Sequence, residues 1–334
     1  MTTNQTVDLA LLEAYLRNLQ LALAIDQPQH AELLLAHALQ LMAPALTGQP
    51  PALPPTDLPI EFSAGVGLDT GKRKWGKPNE DFVFAAQGTI AATQEPFGLF
   101  VVADGLGGQG NGQEASRLAI ETIVDSVLPQ MREAKGGTSW DELLRHGVER
   151  ANDVVYLRNQ QLAGSSMATT VTAALIVGLE VFVANIGDSR AYLYRPGQGL
   201  VQLTRDHSTV ARLVEMGAIT RDELYSHPQR NEIYRNVGTE FSIETEVFRE
   251  TLQDDAVLLL CSDGLWEMVP DELLADVLST SWEPAGYMAE KLVQLALAAG
   301  GLDNIGLVVV RVCIEDITRL LTMTTPGQEI LLSA

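Results

Sequence analysis

Hydrophobic residues near the start of the chain recur at helical spacing. One face of a first predicted helix is marked by leucines three or four residues apart: Leu9, Leu12, Leu16, Leu19 and Leu23. A second pattern of this kind runs over 29–42, after a break at Asp26-Gln27-Pro28. We predict a helical hairpin over 1–43. A short helical pair hides its apolar face poorly, so residues 8–43 either mediate self-association or docking, or pack on the rest of the chain.

A proline-rich stretch follows this hairpin. Residues 44–59 contain six prolines, which makes a stiff, non-helical linker. We therefore place a domain boundary here, with the main domain over 60–315 and a C-terminal tail over 316–334.

From residue 60 onward, short apolar runs alternate with turns. Strands are predicted at 97–103, 169–177, 181–186, 256–261 and 305–312. Long helical patterns cover 112–134, 139–162 and 285–299. Because strands group with strands and helices with helices, the pattern favours an α+β layered sandwich over an alternating parallel fold.

Composition and charge narrow the possible partners. The 334 residues are 46% hydrophobic and 19% charged, which suffices for a sizeable core. The net charge of −21 makes nucleic acid or an anionic membrane a poor partner, and it is compatible with a site that collects metal cations.

The chain carries no feature that indicates export. Cys261 and Cys313 lie in apolar runs, where we expect buried, reduced thiols. The first residues lack the basic and apolar regions of a secretory signal, and no apolar run approaches the ~20 residues of a membrane span. We expect a cytoplasmic protein that does not associate with membranes.

Four aspartates are placed where apolar strands begin or end. Asp104 and Asp263 end predicted strands and precede a glycine, Asp188 follows a strand, and Asp303 opens one. If those ends converge, the carboxylates cannot all remain ionised without a cation. Hard oxygen ligands of this kind suit Mg²⁺ or Mn²⁺.

Two other interpretations of these residues stay open at this point. Asp-Gly pairs are also typical of hairpin turns. Gly105, Gly107 and Gly110 form a G-x-G-x-x-G pattern between a strand and a helix, which is typical of dinucleotide-binding proteins. Against it, Asp104 would repel a pyrophosphate, and the acidic residues some twenty positions on lie within a helical pattern rather than at a strand end.

Seven short segments, in order along the chain, resemble the type 2C family of metal-dependent serine/threonine protein phosphatases, bacterial type. These segments are N-E-D (79–81), D-G-L-G-G (104–108), A-T-T (168–170), G-D-S-R (187–190), T-R-D-H-S (204–208), S-D-G-L-W (262–266) and D-N-I (303–305).

The resemblance implies a fold and a set of metal ligands. The family's fold is a four-layer αββα sandwich of two antiparallel sheets flanked by helices. Asp104 would bridge two Mn²⁺ or Mg²⁺ ions, with Glu80 and the Gly105 carbonyl on one and Asp263 and Asp303 on the other. Asp81 would hold a metal-bound water, and Asp188 with Asp263 would serve a third, weaker site.

The implied function is hydrolysis of phosphoserine and phosphothreonine in proteins, opposing a protein kinase. Asp81, Asp104 and Asp263 would be the catalytic residues. Two metal ions would activate a water and offset charge on the transferring phosphoryl group. An alternative is a catalytically weak sensor or adaptor with the same fold.

Three positions depart from the family pattern. The arginine that usually lies three residues before Asn79 and binds phosphate is Gly76 here, so Arg73, Lys74 or Lys77 would have to supply the charge. The possible general-acid histidine of some members is Leu106. A threonine common after D-N-I is Gly306.

Other residues receive structural interpretations. We expect His207 to make a structural hydrogen bond near Asp206, and Trp266 to belong to the core. The segment 210–240 lies where the family has a flap beside the site.

Overall fold

The structure, a computed structural model, describes residues 60–107, 111–134, 137–162, 166–280 and 283–314. The predicted hairpin over 1–43, the linker over 44–59 and the tail over 316–334 lie outside the described residues.

Two antiparallel sheets form the centre of the described domain. The first has the order β1-β11-β10-β7-β8. Its strands are β1 (Ile60–Asp69), β7 (Arg190–Arg195), β8 (Gly199–Gln202), β10 (Val257–Cys261) and β11 (Ile305–Ile314).

The second sheet has the order β2-β3-β5-β6-β9, with β4 paired to the far end of β3. Its strands are β2 (Asp81–Thr89), β3 (Pro96–Gly107), β4 (Met167–Thr169), β5 (Val171–Val177), β6 (Glu180–Ile186) and β9 (Glu246–Thr251).

Helices cover the outer faces of both sheets. They are α1 (Asn111–Arg132), α2 (Trp140–Asn159), α3 (Thr209–Glu215), α4 (Arg221–Leu224), α5 (Asp263–Trp266), α6 (Asp271–Leu278) and α7 (Ala285–Ala298). None of these described helices has both the length and the hydropathy required to cross a bilayer.

Three separate apolar clusters define four layers. In β3, Leu99 and Val101 pack towards α1 and α2, while Phe100 and Val102 pack between the sheets. The third cluster joins the other sheet to α6 and α7. Since successive strand residues point to opposite faces, a central strand of such a sandwich is apolar throughout, as the continuous runs of the sequence indicate. The predicted αββα sandwich is confirmed.

The antiparallel sheets also bear on the two other interpretations of these residues, a dinucleotide-binding fingerprint and hairpin turns at the Asp-Gly pairs. A dinucleotide fingerprint needs a tight turn between a parallel strand and a helix. Gly105 and Gly107 instead lie within β3 and pair with β4, so the structure does not favour the nucleotide-binding hypothesis. Neither Asp-Gly pair forms a hairpin turn, because Asp104-Gly105 is extended and Asp263-Gly264 begins α5.

The expectation of two buried thiols is right for only one of them. Both cysteines are free, and Cys261 is fully buried. Cys313 is partly exposed because it lies near the end of β11, an element whose last two residues extend beyond the core.

Candidate metal centre

Six acidic residues approach one end of the sandwich from different elements. Glu80 precedes β2 and Asp81 begins it, directly across from Asp104 of β3 in the strand register. Asp188 lies in the turn between β6 and β7. Asp263 begins α5, two residues after the end of β10, and Asp303 lies two residues before β11. Both sheets therefore contribute carboxylates to the same place.

The sequence predicts that Asp104 ends its strand, and this prediction is wrong. The residue lies inside β3, which continues to Gly107 because β4 pairs with its last residues. The backbone of Asp104 is held there by two threonines of the A-T-T segment. The Asp104 N–H donates to Thr170 Oγ1 over 3.0 Å, and Thr169 Oγ1 donates to the Asp104 carbonyl over 2.8 Å.

The acidic side chains divide into an outer and an inner group. Glu80, Asp104, Asp263 and Asp303 are partly exposed. Asp81 and Asp188 are 1% and 3% exposed. The outer four are thus accessible to a substrate, while the inner two lie behind them.

Glu80 and the Gly105 carbonyl converge at the start of α1. A Cβ built on Gly112 would lie 2.6 Å from Glu80 Oε1 and 2.7 Å from the Gly105 oxygen. The absence of a side chain at Gly112 is therefore what lets these two oxygens share one space. The Gly105 N–H also donates to the Glu80 carbonyl over 3.1 Å, which ties the two residues together.

Asp81 is held by the neighbouring sheet. Ser262 Oγ donates to Asp81 Oδ2 over 2.6 Å and accepts from the Gly306 N–H over 2.9 Å. A Cβ on Gly306 would approach Asp81 Oδ2 to 3.0 Å, so this glycine leaves room for the carboxylate. The two sheets are thereby linked at the site through one hydroxyl.

Asn304 joins three segments of the site. Its Oδ1 accepts from the Glu80 N–H over 2.9 Å, and its Nδ2 donates to the Thr70 carbonyl over 2.9 Å. Its own N–H donates to Asp303 Oδ1 over 2.7 Å. The asparagine of D-N-I thus fixes Glu80 relative to Asp303.

A buried polar network supports the turn that carries Asp188. Arg190 forms a fully buried ion pair with Asp206, and its guanidinium carbon lies 3.6 Å from the ring centroid of Trp266. The Gly187 N–H donates to His207 Nδ1 over 3.0 Å. The structural hydrogen bond expected for His207 is therefore present, with the Gly187 N–H as its donor. Trp266 is a core residue, as expected.

Burial and mutual repulsion act on the carboxylates in the same direction. Burial first, and then the charges of Asp81, Asp263, Asp188 and Asp303, raise the pKa of Asp104 well above its usual value. Burial and neighbouring carboxylates also raise the pKa of Asp81 to about 8, against the opposing hydrogen bond from Ser262, and that of Asp263 to about 7. Ionised carboxylates thus oppose one another here, which is the condition that a bound cation relieves.

The acidic residues of this cluster are chemically suited to bind two hard divalent ions, although their side chains do not all lie at metal-ligand distances from one another. Among the described residues, no three acidic, histidine or cysteine side chains are grouped as closely as in a filled metal site. Instead, Lys74 Nζ lies 2.5 Å from Asp303 Oδ1. One oxygen of Asp188, Oδ1, is buried and makes no hydrogen bond within the part of the chain described. An all-oxygen donor set with an unsatisfied buried oxygen is suited to Mg²⁺ or Mn²⁺.

Of the three candidate phosphate-binding cations, Lys74 forms a direct ion pair with the acidic cluster, whereas Lys77 acts on Glu80 through its charge alone. Burial lowers the pKa of Lys74, but the Asp303 contact and the charges of Glu80 and Asp104 raise it to a net value above normal. Arg73 and Lys77 are exposed. Gly76, three residues before Asn79, has a φ of +81° and no atom near its Cβ position. A side chain at this position would therefore extend into open space.

Sequence reasoning missed the residues that hold the carboxylates in place. Ser262, Asn304 and Thr170 all stand within the recognised segments, but their partners are 181, 224 and 66 residues away. The segment expected to be a flap contains α3 and α4, followed by an irregular stretch. An antiparallel bridge joins Val237 of this stretch to Thr169, the residue whose hydroxyl donates to the Asp104 carbonyl.

Comparisons with known proteins agree with this geometry. A family model described as protein phosphatase 2C matches residues 69–296. The serine/threonine phosphatase stp of Listeria welshimeri is 34% identical over 215 residues, which are 64% of this chain and 83% of that protein.

Solved structures of similar proteins are phosphatases as well. The Mycobacterium tuberculosis serine/threonine phosphatase PstP/Ppp is 32% identical, with a TM-score of 0.63 over 75% of this chain and 98% of that one. The catalytic domain of PstP in complex with 2 manganese ions is 31% identical, with a TM-score of 0.64 over 76% of this chain and 100% of that one. This chain therefore belongs to the protein phosphatase 2C family of metal-dependent serine/threonine phosphatases.

Proposed function

We propose that this phosphatase hydrolyses phosphoserine and phosphothreonine in proteins at the acidic cluster, with two divalent ions in its core. Glu80, Asp104 and the Gly105 carbonyl would hold one ion, and Asp104, Asp263 and Asp303 the other. The observation that supports this most directly is the convergence of carboxylates from both sheets, where burial and neighbouring carboxylates raise the pKa of Asp104 and Asp263. When bound, the ions supply an acidic water and neutralise charge on the phosphoryl oxygens.

Asp81 and Ser262 would orient the water. The Asp81 carboxylate accepts from Ser262 through Oδ2, which fixes the side chain beside the position where the water would bind. Hydrolysis forms one bond from that water oxygen to phosphorus and breaks the bond from phosphorus to the serine or threonine oxygen. Leu106 has no proton to donate, so the leaving oxygen takes its proton from solvent.

Lys74 would supply the positive charge that the family usually takes from arginine. Its ammonium lies at the acidic cluster and is protonated at neutral pH, since burial, which lowers its pKa, is outweighed by Asp303, Glu80 and Asp104, which raise it above the ordinary value. Moving from Asp303 to a phosphoryl oxygen exchanges one anionic partner for another. An ammonium makes a point contact rather than the bidentate contact of a guanidinium, which predicts weaker phosphate binding than an arginine gives.

Asp188 would complete a third, weaker ion site with Asp263. Its buried Oδ1 makes no hydrogen bond among the described residues, and its pKa is raised by burial and then by Asp263. Calorimetric titration with Mn²⁺ tests this assignment. Asp188→Asn should remove the weakest binding step only.

The proposed substrate is a phosphoprotein made by a serine/threonine kinase. The proposed role of residues 8–43 in self-association or docking lies outside the described residues. Sedimentation of the full chain and of a chain that begins at residue 44 tests that role, because only the full chain should then associate.

Turnover of a small aryl phosphate and of a phosphothreonine peptide tests the central proposal. Both should require Mn²⁺ or Mg²⁺, and titration of each ion should show which supports the higher kcat/KM. Asp263→Asn should abolish turnover, whereas Glu272→Gln, an exposed change in α6, should not. No turnover with either ion in a folded protein would favour the sensor hypothesis.

A further inference from the structure

A strongly basic turn lies beside the acidic cluster. Residues 72–77, K-R-K-W-G-K, carry four cations in a chain whose net charge is −21. We call this segment the basic turn. Lys74 faces the carboxylates, whereas Lys72, Arg73 and Lys77 are exposed. Within the described ranges, none of these three forms an ion pair with an acidic side chain, although the Lys77 charge acts on Glu80 from a distance. Their ammonium and guanidinium groups are therefore open to an anionic partner.

The basic turn also presents the most exposed large apolar side chain among the described residues. Trp75 is 84% exposed. Indole side chains are usually at least half buried, and an exposed one next to a reaction site is a common feature of binding surfaces. Trp75 follows Lys74 directly, so it lies beside the place where a phosphate would bind.

The basic turn is anchored to the domain at several points. The Gly71 N–H donates to Asp69 Oδ1 over 2.7 Å, and the Arg73 N–H donates to the Gly301 carbonyl over 3.0 Å. The Lys77 N–H closes the turn by donating to the Lys74 carbonyl over 2.9 Å. A fixed platform loses less conformational entropy on binding than a mobile loop, which favours a role in recognition.

We propose that Lys72, Arg73 and Lys77, together with the Trp75 indole, bind the substrate residues that flank the phosphorylated serine or threonine, and select acidic flanks that carry an apolar side chain. This inference rests on the proposed function, since it assigns the substrate class of the same site. The cations pair with the acidic flank, and the indole packs on the apolar side chain. The strong negative charge of the chain as a whole favours a short acidic segment positioned by its phosphate over an extended polyanion.

Matched phosphothreonine peptides test the charge selection. One peptide carries Asp and Glu around the phosphothreonine and the other carries Asn and Gln, with the same length and the same apolar residue. We expect kcat/KM to favour the acidic peptide by roughly threefold to tenfold at low salt, since exposed pairs contribute little each. The preference should fall as salt rises.

The variant Arg73→Gln/Lys77→Gln should bring the ratio of the two kcat/KM values close to one. The matched control is Arg150→Gln/Lys291→Gln, which removes two charges from α2 and α7 and should leave the ratio unchanged. An equal kcat/KM for the two peptides in the unaltered protein, or a ratio that survives Arg73→Gln/Lys77→Gln, overturns the proposal.

A separate variant tests the indole. Trp75→Ala should lower kcat/KM for the peptides with an apolar flank several-fold and leave aryl phosphate turnover unchanged. Tyr287→Ala, which removes a half-exposed aromatic from α7, is the control. Equal loss for the peptide and the aryl phosphate would contradict docking at Trp75.

Binding measured without turnover separates failure of this inference from failure of the proposed function. Fluorescein-labelled versions of the two peptides give dissociation constants by anisotropy, which should show the same preference for the acidic flank. Absence of aryl phosphate turnover with retained acidic preference would reject the enzyme function and keep the docking surface. Competition by a single-stranded oligonucleotide as effective as the acidic peptide would make the basic turn a general polyanion site and overturn the proposal.

Discussion

The indole nitrogen of Trp266 donates a hydrogen bond to the backbone carbonyl oxygen of Asp188 over 2.9 Å. This contact joins α5, which begins at Asp263, to the turn that carries Asp188. The Arg190 guanidinium lies against the face of the same indole ring and pairs with Asp206. Packing around Trp266 therefore fixes the position of Asp188 relative to Asp263, two side chains of like charge.

Trp266→Phe should both destabilise the fold and weaken metal binding. Phenylalanine fills much of the space but leaves the buried Asp188 carbonyl without its donor. We expect a loss of about 1–3 kcal/mol in the free energy of unfolding, measured by urea denaturation. Trp140→Phe is the control, since Trp140 is partly buried against the separate apolar cluster that α1 and α2 form with the other sheet. If both variants need the same Mn²⁺ concentration for half-maximal activity, the link between α5 and Asp188 has no role in the site.

Asp104→Asn should make the fold more stable and abolish most of the activity. Removing the carboxylate relieves burial of a charge and its repulsion by four neighbours. In a metal-free buffer we expect the free energy of unfolding to rise by about 1–3 kcal/mol. Turnover of an aryl phosphate should fall by roughly a hundredfold or more. Glu272→Gln should change neither quantity, and a less stable Asp104→Asn protein would show that the carboxylates do not repel one another.

Substitutions of Lys74 should change substrate binding more than the chemical step. Lys74→Gln should raise KM for an aryl phosphate about tenfold, because a charge-assisted contact is lost. Lys74→Arg should lower KM below that of the unaltered protein, since the guanidinium can bind phosphate through two N–H groups. Steady-state kinetics give both values, with Arg150→Gln as the charge control. A KM unaffected by Lys74→Gln would assign phosphate binding to another group.

Gly112→Ala should weaken binding of the ion that we propose Glu80 and the Gly105 carbonyl hold. The added methyl group would lie within 2.7 Å of both oxygens and push them apart. We expect the Mn²⁺ concentration for half-maximal activity to rise about ten- to a hundredfold. Gly286→Ala, in α7 with open space around the Cβ, should stabilise the helix by about 0.5–1 kcal/mol and leave the Mn²⁺ requirement unchanged. Unchanged Mn²⁺ dependence in Gly112→Ala would place the ion elsewhere.

His207 should make the fold less stable in mild acid. Burial, and then the Arg235 charge, lower its pKa from 6.5 to about 4. Between these values the unfolded chain takes up a proton and the folded chain does not, so stability contributed by the neutral ring is complete above pH 6.5 and is lost as the pH falls towards 4.

The variant His207→Asn isolates this effect, because the Asn oxygen can accept from the Gly187 N–H as Nδ1 does. Urea unfolding in a metal-free buffer should show that the unaltered protein loses up to about 3 kcal/mol more than the variant between pH 7 and pH 4.5. Parallel pH profiles for the two proteins would mean that the ring is protonated in the folded state.

Local patterns predicted much of the fold and the identity of the acidic residues, but not how they are held. The apolar runs of β3, β10 and β11 are readable because strands buried on both faces carry almost no polar residues. The position of Asp104 inside β3 depends on pairing with β4, some 60 residues later, which no local pattern contains.

The phosphate-binding position shows the same limit. Counting back from Asn79 leads to Gly76, whereas the structure brings Lys74 to the carboxylates. The path of the basic turn is set by the contact from Arg73 to Gly301, at the far end of the sequence. Distance along the chain cannot supply that information.

The pairing of β1 with β11 has a consequence for protein engineering. Ile60 lies opposite Ile314, so the first and last described residues are neighbours on adjacent strands. The other end of this pair, at Asp69 and Ile305, adjoins the acidic cluster, roughly 30 Å away at strand spacing. Replacing residues 1–59 and 315–334 by a short linker from 314 to 60, with new termini opened at an exposed turn such as Gly197, would give a circular permutant in which the acidic cluster is unchanged.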